Sequence, residues 1–179
     1  FFTKFEKILT HFKTQIIQNY SNFQIFHIFK KNRRILLFLI EENFLKIDKT
    51  IATYISKENR ELLYIDYFST ELKPFNSILY LVDEYSIINN RKRRIGENDE
   101  DIAEIIRNDQ LSEFIEYVTK NKLNLNSNIE SSVYETNLYL IEKEPSLIEY
   151  ASFFGSFQIF EYLYQNNVQL SPTLWNFAV

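Results

Sequence analysis

The side chains that could do chemistry in this 179-residue chain are few, and their spacing does not serve it. His11 and His27 lie outside any H-E-x-x-H frame, so a zinc site would have to draw carboxylates from scattered positions. Each His reads instead as a residue on or beside a helix face. Glu41–Glu42 and Asp83–Glu84 are sequence neighbours, which point to different parts of a helix surface and make no acid–base pair alone. There is no cysteine, which removes thiol nucleophiles, disulfides and thiolate metal sites. No serine sits in a G-x-S-x-G elbow. The only glycines, Gly96 and Gly155, are too far apart for a P-loop or a dinucleotide-binding fingerprint. Catalysis by carboxylates distant in sequence has no positive support. No catalytic, cofactor-binding or metal-binding residue is nominated, and no small-molecule substrate is expected.

The most conspicuous charged motif is Arg91-Lys92-Arg93-Arg94. One reading is a nuclear-localisation or nucleic-acid patch. The other, which the composition favours, is a solvated basic linker facing the acidic run at 97–101. No stacking aromatics interleave the four charges, and the whole chain is net −4. That figure hides an asymmetry: residues 1–94 carry 16 basic and 10 acidic side chains, whereas 95–179 carry 4 and 14. The change of sign marks a boundary, with a charged linker over 91–100.

The elements that must hold these residues read as helices. Three prolines and two glycines are too few for a sheet with many tight turns, and 45% apolar residues can build a core. Abundant Phe, Tyr, Ile, Asn and Lys point to A/T-rich coding more than to aromatic chemistry. Phe2, Phe5, Ile8, Leu9, Phe12, Ile16 and Ile17 predict one amphipathic helix over 2–19. Helices follow over Ile25–Lys30 and Arg34–Asn43, with "KKN" as the break, and over Lys49–Ser56 with Asp48 as N-cap. Pro74 ends a helix near Leu72. Helix is expected again over 75–88, with strand as the rival for 78–82 and for "ILLFLI" at 35–40. That six-residue run is far short of the ~20 residues that span a bilayer. No signal-peptide pattern appears. An intracellular protein is expected, cytoplasmic or alternatively nuclear, with no membrane partner. Without Met at position 1, the sequence is expected not to begin where translation did.

From position 96 the pattern sharpens. "DEDIAEIIRNDQLSEFIEYVTKN" gives two short helices broken at Asn108–Asp109, and "SLIEYASFFGSFQIFEYLYQNN" repeats the plan around Gly155. An extended loop and an extra helix over about 134–142 separate them. The reversal between paired helices needs a left-handed residue, which glycine supplies cheaply and Asn or Asp next best. Gly155, Asp109 and Asn167 are therefore the structural turn residues.

The segment 146–167 resembles an ankyrin repeat. Ser146, Leu147, Ile148 and Glu149 stand at the T-P-L-H positions, and Ala151 at the small residue of the first helix. Gly155 stands between the helices and Asn167 at the closing glycine position. The chain as a whole resembles the divergent ankyrin-repeat proteins expanded in trichomonad-type protists, which carry a helical region before their repeats. Leu147 and Glu149 depart from the Pro and His of the motif, and about 13 residues are inserted relative to the usual 33-residue period. "SPTLWNFAV" resembles a further first helix, so the chain is expected to be part of a longer array, with Trp175 exposed at its edge.

The resemblance implies an all-α fold. An irregular helical region (1–90, readable as decayed repeats with Asn43 at a closing position) leads through 91–100 into an ankyrin-like solenoid over 101–179. It implies a non-catalytic protein–protein interaction scaffold without cofactors, whose partner is an unidentified protein rather than nucleic acid. The concave face would be lined by first helices, with Glu149, Ser152 and Phe153 reaching the partner. The alternative is a nuclear or nucleic-acid-associated helical protein using Arg91, Lys92, Arg93 and Arg94.

Overall fold

The computed structural model describes residues 2–57, 62–75 and 89–177. Among these the protein is all-α, with no strand and a single isolated antiparallel bridge, Asn128 to Ser146. The chain divides into two compact units. The first comprises Phe1–Glu97 with Thr136–Leu138, and the second Asn98–Glu135 with Tyr139–Val179. The expectations for 76–88, helix or strand, lie outside the described residues.

The first unit contains α1 (Phe2–His11), α2 (Lys13–Asn19), α3 (Asn22–Phe29), α4 (Arg33–Glu41), α5 (Lys49–Lys57), α6 (Leu62–Tyr67), α7 (Ser69–Leu72) and α8 (Asn90–Ile95). Side chains set the boundaries. Ser21 and Gln24 form a capping box at α3. Asn32 Oδ1 accepts from Ile35 N, and Asp48 Oδ1 from Ile51 N, opening α4 and α5. Ile25, Phe26, Leu36, Leu39, Ile51, Tyr67, Phe68 and Leu72 are buried as its core. The helix expected over 2–19 is two helices. It breaks at Phe12, and α2 buries none of its residues, so its apolar positions have no continuous surface to hold them in line with α1.

The second unit contains α9 (Asp101–Arg107), α10 (Leu111–Asn121), α11 (Leu138–Lys143), α12 (Leu147–Phe154) and α13 (Phe157–Gln165). α9 pairs with α10 and α12 with α13; α9 also packs on α12, and α10 on α13. Ile106, Phe114, Ile148, Tyr150, Ala151, Ile159 and Leu163 are all at most 1% exposed at the centre of this stack.

The two pairs repeat the same turn. Asp109 has φ 51° and Gly155 φ 68°. The next residue's N–H reaches back five residues in each, Gln110 to Ile105 O and Ser156 to Ala151 O. Each second helix also closes on a left-handed residue, Lys122 (φ 50°) and Asn167 (φ 55°). Bonds cross from pair to pair: Asp109 Oδ2 and Oδ1 accept from Gln158 N and Ile159 N, capping α13, and Ser156 Oγ donates to Ile106 O.

Candidate functional site

The segment read as a charged linker over 91–100 is not a linker in its first half. Asn89 caps α8 by accepting from Arg91 N and Lys92 N, and Gly96 closes it with φ 75°. Arg93 is 2% exposed. Its guanidinium donates to Tyr67 O, to both oxygens of Glu71 (2.8 and 3.0 Å) and to Asn90 Oδ1. Arg94 pairs with Glu41, and Arg34 Nε donates to the Arg94 carbonyl. Helix α8 is therefore part of the first unit, which runs on past residue 90 to residue 97 and takes in 136–138 as well. Arg91 and Lys92 are exposed.

Glu149 is also misplaced by the sequence reading. It is 7% exposed, with Oε2 accepting from Ser146 N and Oγ and Oε1 accepting from Thr173 Oγ1. A carboxylate so occupied holds the start of α12 rather than meeting a partner. Ser152 and Phe153 are half-buried.

Around Phe153 the structure gathers residues that the sequence reading did not nominate. Phe153 lies nearly parallel to Tyr139 of α11, ring centroids 6.4 Å apart, and edge-on to Phe154 at 5.0 Å. Phe154 meets Tyr150 at 4.7 Å. Arg107 of α9 completes the cluster: Nη1 donates to Tyr150 Oη at 2.8 Å, and the guanidinium lies 5.9 Å from the Phe154 ring. Tyr139, Phe153, Phe154 and Arg107 all retain partial exposure. Aligning Asp109 with Gly155 would have found Arg107, since each stands two residues after Arg107 and Phe153 respectively.

Family models, curated proteins and solved structures were compared with the chain. None matches. Among the described residues no group of three or more His, Cys, Asp or Glu side chains gathers as a metal site, and no helix is long and apolar enough to cross a membrane. The cavity between Ile129, Glu130, Leu140, Pro145 and Tyr150 holds about 20 Å³, room for a single water. A wider groove on the first unit, bounded by Ile17, Asn22, Ile40 and Phe44, carries one charged lining residue, Lys46. Glu135 and Glu144 also line the first cavity, whose size admits nothing larger than water. The aromatic cluster is the candidate site: it joins large, stiff side chains to a guanidinium, residue types that are enriched at interfaces.

Proposed function

We propose that the chain is a non-catalytic protein–protein interaction module of ankyrin-repeat type, binding through the outward stripe of its first helices, α9 and α12. The observation that carries this reading is the half-exposed cluster of Tyr139, Phe153, Phe154 and Arg107 on those helices and α11. Aromatic residues and Arg dominate binding energy at interfaces because they bury much surface at little entropic cost. The repeated turn at Asp109 and Gly155, and the bonds from one pair to the next, support the repeat reading. The nucleic-acid alternative has less support: two of its four cations are already paired with carboxylates, Arg93 with Glu71 and Arg94 with Glu41.

The test is affinity capture with this chain as bait, with and without nuclease, at low and moderate salt, comparing wild type with Phe153→Ser. Protein partners should survive nuclease and salt on the wild type and be lost on the variant, at unchanged far-ultraviolet helicity. Capture that nuclease abolishes, that Phe153→Ser leaves intact and that Arg91→Gln with Lys92→Gln removes would overturn the reading.

A further inference from the structure

We propose that the aromatic stripe takes a basic segment of its partner, with an Arg or Lys head group lying on the Tyr139 and Phe153 rings beside the Phe154 ring that Arg107 already occupies; this rests on the interaction-module reading above. The charge around the stripe argues for it. Residues 98–135 and 139–179 together carry 13 acidic and 4 basic side chains. On α9, Glu104 is exposed three residues before Arg107 and so shares its face, and exposed Asp101 stands a further turn back. On α11, Glu142 is exposed three residues after Tyr139, again on one face, with Lys143 beside it as a local counter-charge. The rings are thus flanked by carboxylates from two helices. Phe153 and Phe154 occupy the last turn of α12, where the helix dipole favours cations.

The cluster already demonstrates the contact it would offer. Arg107 sets its guanidinium against Phe154 while donating to Tyr150, and a partner's cation would use the neighbouring rings in the same manner. An acidic partner would be repelled by Glu104 and Glu142, which share helix faces with Arg107 and Tyr139. A wholly apolar one would strip water from those carboxylates without replacing it.

Fluorescence anisotropy with a labelled Arg-Ser repeat peptide, and with Gln-Ser and Glu-Ser counterparts, tests the inference on the full chain. The Arg-Ser peptide should bind, and more weakly as salt rises; the other two should not. Phe153→Ser should weaken it by about tenfold. Because Phe153 also packs against Tyr139, a second variant on exposed surface, Asn108→Lys, should weaken it severalfold with no effect on the fold. Glu104→Gln with Glu142→Gln should weaken it more than Glu113→Gln with Glu116→Gln, which removes the same charge from α10. Equal loss from both pairs would mean diffuse attraction to an acidic unit and would overturn the inference. So would equal binding of the Gln-Ser peptide, although Phe153-dependent binding of that peptide would leave the interaction-module reading standing. If no peptide binds, the basic-segment inference falls, while the capture experiment still decides the broader reading.

Discussion

Glu149 shows how one side chain can change its meaning once its neighbours are known. Its carboxylate satisfies Ser146 N–H and hydroxyl at the start of α12 and accepts from Thr173, 24 residues on and beyond α13. Glu149→Ala should therefore cost about 1–3 kcal/mol of stability, measurable by urea unfolding, and Glu149→Gln less, because the amide oxygen can still accept. The two glycines make a second contrast. A Cβ on Gly155 would meet nothing within 4 Å, so Gly155→Ala should cost only the left-handed strain, about 1 kcal/mol. A Cβ on Gly96 would lie 2.7 Å from Thr136 Oγ1 and 2.9 Å from Arg34 Cδ. Gly96→Ala should lower the melting temperature more than Gly155→Ala; the reverse order would contradict the geometry. Asp109→Ala should cost about 1 kcal/mol through the two amides it caps at α13.

At the scale of elements, the helices whose ends carry a chemical signal are legible in the sequence. Asp48, the "KKN" break, Gly155 and Asn167 announce boundaries by residue type. Lys122 and Glu144 are left-handed too, at φ 50° and 46°, but neither residue type says so. Helix α8 is the larger surprise. Four consecutive basic residues read as solvated, and nothing local reveals that Arg93 will be buried against Glu71, 22 residues earlier. Nor does sequence reveal that the Tyr67 ring lies 5.3 Å from the Arg33 guanidinium and 5.7 Å from that of Arg93. Arg93→Ala should destabilise the first unit by about 3 kcal/mol, since it strands Glu71 beside buried Tyr67.

Tyr67 gives this element a pH signature. Burial raises its phenol pKa above the ordinary value near 10; the charges of Arg93, Arg33 and Arg34 work against that, and Glu41 with it. The folded state thus holds the proton that the unfolded chain releases. The stability this contributes is whole below about pH 10 and is lost as pH rises beyond it. Tyr67→Phe should flatten the alkaline limb of a stability-versus-pH curve. At neutral pH it should cost about 1 kcal/mol for the lost bond to the Arg93 carbonyl. An unchanged alkaline limb would contradict this account.

Over the whole molecule, the charge changes sign near residue 95, and the second unit begins at Asn98. What charge cannot convey is that 136–138 return to the first unit, where Thr136 N and Oγ1 both donate to Gly96 O. That link depends on two hydrogen bonds between residues 40 apart, and no periodicity encodes it. Likewise Phe153 stands out in the sequence, but its company of Tyr139 and Arg107 depends on how three helices meet.

The claim that matters most is that partners meet the first helices. Site-specific photo-crosslinking tests it directly, with the photoreactive residue at exposed Asn108 beside the stripe or at Phe157, 69% exposed on α13. The account predicts partner adducts from position 108 and few from 157. Adducts from 157 with none from 108 would contradict it and move the binding surface to the second helices.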